Sequence, residues 1–485
     1  MEKATATVRV TATHSKCIKF LWGLILLLAQ SNSVASNAIV KSLPGFPGEL
    51  PFLLETGYIG VGELDEEVQL FYYFIESEGQ PATDPLVLWL TGGPGCSALS
   101  GLMYEVGPLG FDYKRSCEIQ TPVLVLNDYS WTKVANIIFL DASVGTGFSY
   151  AKTSGGYNTS DEKSTADTYM FLRKWLLVHP KFQKNPVYIA GDSYSGIAVP
   201  VIVKKISDGN KAGNLPQINL KGYVLGNPYT DNQYDLNARV NFAYRVGLLS
   251  DDLYEETKFD CHGEFAFPNK SDAGCIEHLE MVNQCLKDIN PPMVLEPLCS
   301  SLNTKPNKLN SGSSHPGVNV SDSLLSEVNP IGRWCRDYNY IFINIWANDK
   351  VVQEALHVRI GTIKEWDRCN RSLSYVEDIR SSLDYHRNLT SEDLRAIVYS
   401  GDHDMVIPYV GTEEWIRSLN LKVPSDGEWR PWFVDGQVAG YTEMYREKKY
   451  SLTFATVKGG GHTAPEYKPK ECFDMISRWF AYYFL

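Results

Sequence analysis

The chain has 485 residues, 44% of them hydrophobic and 12% aromatic, enough to bury a large core in two or three domains or in one catalytic domain with an insertion. It carries 57 acidic against 45 basic residues, for a net charge of −12. No Lys/Arg cluster and no zinc-type Cys/His spacing interrupts that balance, which argues against a nucleic-acid partner and a structural metal.

The first residues read as an address. Arg9, Lys16 and Lys19 precede an apolar run from Phe20 to Ala29, and small residues follow to a cleavage region near Val34, Ala35 and Ser36. The run is short for a bilayer span, so residues 1–36 are read as a signal peptide, an uncleaved anchor being the alternative. Either way the chain enters the secretory pathway, and no stable membrane association is expected once the peptide is gone. The C-terminal RWFAYYFL carries no retention signal. Asn158, Asn269, Asn319, Asn370 and Asn388 each open an Asn-X-Ser/Thr sequon. Without Cys17, nine cysteines remain, consistent with several disulfides and leaving at least one thiol without an intramolecular partner.

Strands are predicted at Val68 to Glu76, Pro85 to Gly93 and Asn136 to Asp141, then at Val187 to Asp192 and Leu220 to Asn227. Between them Tyr169, Leu172, Trp175 and Leu176 recur at helical spacing. Two late strands, around Leu394 to Asp402 and Tyr450 to His462, run into loops. Buried strands alternating with helices imply an α/β fold with a mainly parallel central sheet covered on both faces. The section from 231 to 346 breaks the rhythm and holds Cys261, Cys275, Cys285, Cys299 and Cys335. It is read as an inserted, mostly helical cap between core segments 37–230 and 347–485. Its polar Gly/Pro/Ser-rich stretch at 300–323 is read as a disordered or protease-sensitive loop, with a two-chain form if it is processed.

Within PVYIAGDSYSGIAVPVIV, Ser193 sits between an apolar strand and an apolar helix. Such an elbow lifts a serine clear of the sheet and lets the following N–H help form an oxyanion hole. The match is degenerate, because Ser195 stands where the usual pattern has glycine. Asp402 and Asp404 follow a late strand and His462 lies in a glycine-rich loop, giving the chain order Ser, Asp, His. Sequence alone does not choose between the two aspartates. Gly92 and Gly93, in an early glycine loop, suit either a tight turn or a backbone that approaches a reacting oxygen closely.

LTGGPGCSALSG, VGTGFSY, GDSYSG, YSGDHDMVIP and GGGHTAP together resemble the plant serine carboxypeptidase-like proteins, within the α/β-hydrolases, from about Val40 to Leu485. The resemblance implies Ser193 as nucleophile, Asp404 as orienting acid, His462 as base, and the N–H groups of Gly93 and Tyr194 as the oxyanion hole. Asp402 is then structural. Peptidases of this family hold the substrate's terminal carboxylate with an Asn and two Glu. Here Thr91 replaces the Asn, Asp192 replaces the first Glu, and Glu105 matches the second. A threonine hydroxyl does not supply an amide's two donors, and Asp192 is one methylene short. Thr91 with Gly-Asp-Ser-Tyr is the pattern of the acyltransferase branch. It implies transfer of a hydroxycinnamoyl or hydroxybenzoyl group from a 1-O-β-glucose ester to an alcohol, with substrate contacts at Thr91, Gly92, Glu105 and Asp192. A carboxypeptidase and an inactive binding protein are the alternatives. The resemblance also implies Cys96–Cys369 and Cys261–Cys275 disulfides; among Cys285, Cys299 and Cys335 a bond between Cys299 and Cys335 is favoured. Arg368 is placed near the donor, an ordinary surface arginine being the alternative. No metal or organic cofactor is expected, and the family points to the vacuole or the cell exterior.

Overall fold

Alternation along the inner strands decides the layers. Val87 and Trp89 feed one hydrophobic cluster while Leu86, Leu88 and Leu90 feed another, and Tyr188 and Ala190 separate in the same way from Val187 and Ile189. With period-two side chains on both faces buried, the sheet must be covered above and below. The computed structural model describes residues 36–62, 67–299 and 335–485.

In chain order the strands of the large sheet are β1 (Ser36–Val40), β2 (Leu54–Val61), β3 (Val68–Ile75), β4 (Leu86–Leu90), β5 (Asn136–Leu140) and β6 (Tyr150–Ala151). There follow β7 (Val187–Asp192), β8 (Leu220–Gly226), β9 (Arg395–Gly401), β10 (Arg430–Val434), β11 (Gln437–Glu447) and β12 (Tyr450–Val457). Their order across the sheet is β1-β2-β3-β5-β4-β7-β8-β9-β12-β11-β10, with β6 beside β3. The six central strands, β5 to β12 in that order, pair in parallel, and antiparallel strands close both edges. The fold class is therefore the expected one. β1, β2, β6, β10 and β11 are not among the strands expected from the sequence, although Asp435 and Gly436, both at positive φ, make a recognisable hairpin turn between the last two.

The helix Asp161–Val178 lays Phe171, Leu172, Trp175 and Leu176 against one face, and Ser195–Lys211 adds Val199, Ile202, Val203 and Ile206. The helix Pro469–Phe480 covers the other face with Met475, Ile476 and Trp479. Helices Asn232–Arg245, Asp251–Asp260 and Ala273–Leu286, capped by Asp231, Ser250 and Asp272, form the section after β8. They bury Ala238, Phe242, Tyr254 and Val282 in a cluster of their own that reaches Met405 and Val410. The boundary expected at 346 falls inside the helix Arg336–Asn348, because Ile343, Trp346 and Ala347 pack into the main core. The loop at 300–323, with Asn319, and signal residues 1–35 lie outside the described residues. Among the described residues no helix is long and apolar enough to cross a membrane.

Candidate active site

Parallel strands present their C-terminal ends on one side of a sheet, and ligands bind there. Ser193 follows β7, Asp404 follows β9 and His462 follows β12. Ser193 is held at φ 52°, and its N–H donates to the Gly226 carbonyl at 2.9 Å. A non-glycine residue in that region stores on the order of 1–3 kcal/mol, which the packed turn around it sustains. Ser195, in the usual glycine position, fits because Gly191 leaves it room: a Cβ on Gly191 would lie 2.6 Å from the Ser195 Cβ. Ser195 Oγ donates to the Leu90 carbonyl at 3.0 Å, fastening the elbow to β4.

His462 Nε2 lies 2.9 Å from Ser193 Oγ, and its Nδ1 lies 2.8 Å from Asp404 Oδ2. With Nδ1–H given to Asp404, the Nε2 lone pair faces the serine hydroxyl, as a general base requires. Asp404 is 0% exposed and also accepts Asn227 Nδ2 at 2.9 Å, Val406 N–H at 2.7 Å and Ile407 N–H at 3.2 Å. Asp402 serves elsewhere. Its Oδ1 takes the Gly459 N–H and the His403 ring, both at 2.6 Å, joining the two catalytic loops. Burial pushes the His462 imidazole down, but the charge and hydrogen bond of Asp404, with Asp192 beyond, raise it above its ordinary value.

Gly92 lets the early glycine loop meet the elbow. A Cβ there would lie 2.6 Å from Ser193 Cβ and 2.8 Å from Tyr194 N. Among the described residues neither the Gly93 nor the Tyr194 N–H donates to a protein acceptor, so both remain for an oxyanion. A cavity of about 290 Å³ opens above Ser193 and His462, bounded by Thr91, Gly92, Gly93, Glu105, Asp192 and Arg368 together with Arg336, Tyr340 and Tyr467. All five expected substrate contacts line it. Thr91 Oγ1 accepts Trp89 Nε1 at 3.3 Å. Arg368 lies over the Tyr340 ring at 3.9 Å.

The acids of this cavity are unusual. Asp192 Oδ1 accepts the Gly92 N–H at 3.1 Å, while Glu105 Oε2 is buried with no hydrogen-bond partner. Burial pushes Asp192 up to about 6 against the pull of His462, the Gly92 N–H and Arg368. Glu105 is driven well above the carboxylate range by burial, then by Asp192 and Glu466, with Arg368 opposing.

Cys96 bonds Cys369 and Cys261 bonds Cys275, while Cys299 bonds Cys335 on the cavity wall. Cys117, Cys285 and Cys472 are free thiols. Asn158, Asn269 and Asn388 are exposed; Asn370 is half-buried, its side-chain N–H donating to the Gly145 carbonyl at 2.9 Å. Asn227, Arg239 and the Pro291–Pro292 segment join the site without having been expected from the sequence. Arg239 Nε and Nη2 both donate to the Val406 carbonyl, at 3.0 and 2.9 Å, steadying the Asp404 turn. Asn227, directly after β8 at φ 40°, carried a signal, since asparagine tolerates that backbone.

A serine at a strand-to-helix elbow, with its base and acid at the ends of later parallel strands, defines an α/β-hydrolase with a nucleophilic serine. The serine carboxypeptidase pattern matches residues 44–482, so the chain belongs to the serine carboxypeptidase family of enzymes. It is 47% identical over 469 residues to serine carboxypeptidase-like 1 of Arabidopsis thaliana, covering 96% of this chain and 97% of that protein. Serine carboxypeptidase-like 7 of the same plant is 46% identical over 465 residues, covering 95% and 97%. A prohormone-processing carboxypeptidase of Saccharomyces cerevisiae shares the fold, with a TM-score of 0.67 at 19% identity, covering 89% of this chain and 91% of that one.

Proposed function

We propose that this enzyme is an O-acyltransferase that moves an aromatic acyl group from a 1-O-β-glucose ester to an alcohol. The observation that carries the reading is the acid pair beside the nucleophile. Asp192 is turned onto the Gly92 N–H, and among the described residues no hydrogen bond joins it to Glu105. With Thr91 in place of an amide side chain, a peptide's terminal carboxylate loses the two amide N–H donors, and Asp192, one methylene shorter than Glu, is committed to the Gly92 N–H.

Ser193 Oγ attacks the ester carbonyl and its proton passes to His462 Nε2. The oxyanion rests on the Gly93 and Tyr194 N–H groups. The bond to the sugar oxygen breaks, and that oxygen leaves with the proton from His462. An acceptor hydroxyl then gives its proton to His462 and takes the acyl group, restoring Ser193. Transfer exceeds hydrolysis where the acceptor is held and water is excluded. The Arg336, Tyr340 and Tyr467 wall is suited to that task. The vacuole or the cell exterior is the proposed site of action.

One observation favours the second reading, release of C-terminal amino acids. A protonated Glu105 with an unpartnered oxygen is able to donate to a substrate carboxylate. Product masses decide between them. Purified protein receives β-glucose esters with mixed alcohols, and separately an N-blocked dipeptide. New acyl esters with no amino acid released are expected. Rapid release of the C-terminal amino acid would overturn the proposal, and silence in both arms would make the protein an inactive binder.

A further inference from the structure

The helix Asp161–Val178 opens with a buried acid that helix capping does not require. Ser160 already caps it, accepting the Lys163 N–H at 3.3 Å. Asp161 is 1% exposed and gathers three donors from distant segments. Its Oδ1 accepts the Tyr194 hydroxyl at 2.9 Å and the Tyr375 hydroxyl at 2.8 Å, and its Oδ2 accepts the Ile379 N–H at 2.9 Å.

Tyr194 follows the nucleophile, and its N–H is one of the two free oxyanion donors. Its ring stacks on Tyr229 at 5.9 Å and 13° between planes, and the Tyr229 N–H donates to the Ser193 carbonyl at 2.8 Å. The Ser193–Tyr194 peptide is thus held from the backbone side by Tyr229 and from the side-chain side by Asp161. Such restraint matters because Ser193 is at φ 52°, and a strained backbone relaxes unless its surroundings over-determine it. An oxyanion donor that drifts is a weaker donor.

We propose that Asp161 is a positioning residue for acyl-enzyme formation, fixing the Tyr194 N–H through the Tyr194 side chain. The same carboxylate also anchors the segment that continues from the cavity wall. Arg368 and Arg371 line the cavity, and Tyr375 and Ile379, a few residues on, bind Asp161. One buried acid therefore sets the spacing between the oxyanion donor and the substrate-facing wall. Asp161 is itself outside that wall and reaches it only through the Tyr375–Ile379 segment, so its loss falls on the rate of the chemical step more than on ground-state binding.

The inference rests on Ser193 as nucleophile and is indifferent to whether the acyl group then goes to an alcohol or to water. The test measures labelling by a fluorophosphonate probe and kcat and KM on a p-nitrophenyl ester, with thermal melts alongside. Losing one oxyanion donor costs about 10²–10³ in kcat, so a loosened one is expected to cost about 10-fold. Tyr194→Phe, which keeps the ring stack, and Asp161→Ala both lower kcat and labelling by that factor with KM within about twofold. Asp161→Asn, which retains an acceptor for both hydroxyls, recovers most of the rate. Asp161→Ala with Tyr194→Phe is no worse than Asp161→Ala alone, since both cut one connection. Unchanged kcat in folded Tyr194→Phe, additive losses in the double variant, or a rise in KM at constant kcat would each overturn the inference. A parent enzyme that is not labelled at all would instead remove the nucleophile assignment beneath it.

Discussion

The backbone N–H of His462 donates to the carbonyl of Pro292 at 2.8 Å. Beside it, the Met405 N–H donates to the Pro291 carbonyl at 2.8 Å and the Val294 N–H to the His403 carbonyl at 3.1 Å. The segment that follows the helix Ala273–Leu286 within the insertion thus threads between the loops carrying the base and its acid. Arg336 fastens this thread, holding Glu296 at 2.6 Å and Glu466 at 3.4 Å.

The fit leaves no room at Gly461, where a Cβ would lie 2.4 Å from the Pro292 carbonyl oxygen. Gly461→Ala must shift either the thread or the His462 loop. Turnover on any ester substrate should fall at least about 10-fold with the fold retained, read by steady-state kinetics and a melting curve. Normal turnover would mean that the loop absorbs the change.

Ser193→Ala and His462→Ala are each expected to cost about 10³- to 10⁶-fold in turnover, with the double variant no worse. Near-normal turnover in either would dismiss the triad.

The pH dependence of acylation has a determined sign. His462 works only when neutral, and its proton is held more tightly than an ordinary histidine's. The rate should rise with pH, with its half-point above 6.5, the ordinary value. Asp404→Asn removes the holding charge, so the half-point should move down while the plateau falls. Stopped-flow acylation across pH reads both.

The triad was legible in the sequence because each member announces itself locally: an elbow, a strand end, a glycine loop. The choice of Asp404 over Asp402 was not, since both follow the same strand and only their three-dimensional partners differ. Pro292 was invisible for another reason. It acts through a carbonyl that every residue possesses, so no residue type marks it. The strands of the parallel centre stood out as apolar runs, whereas β10 and β11 alternate and expose Phe433 and Tyr441.

Stability should be greater in mild acid than near neutrality. Burial lifts Asp141 and Asp235 to about 7 and Asp167 to about 6, beside Asp192. Between their ordinary value of 3.8 and these raised values the folded state binds more protons than the unfolded chain. Stability therefore increases as pH falls through that window. Two groups act oppositely: Glu55, lowered because hydrogen bonds from His179 and Tyr72 outweigh its burial, only below about 4.5, and His386, lowered to about 3 by burial, as pH falls below 6.5, one group against the four raised acids. A higher Tm at about pH 5 than at about pH 7.5 is expected, and Asp141→Asn should reduce the difference; a flat profile would contradict the burial argument.

Thr91→Asn combined with Asp192→Glu should restore release of C-terminal amino acids if these positions discriminate. An unchanged product profile would locate specificity in the Arg336–Tyr340 wall.

The pairing of β8 with β9 has a consequence for a severed polypeptide. Among the described strands of the large sheet it is the seam where everything before the insertion meets everything after it. Ser193 lies on one side, Asp404 and His462 on the other. A cut between Cys299 and Cys335 would leave two pieces, neither owning a complete triad. They would still be bolted together twice, once by Cys299–Cys335 and once by Cys96–Cys369, whose ends are 273 residues apart. Such a nicked enzyme would migrate as one band until reduced and then as two. Its activity would follow the seam and not the continuity of the chain.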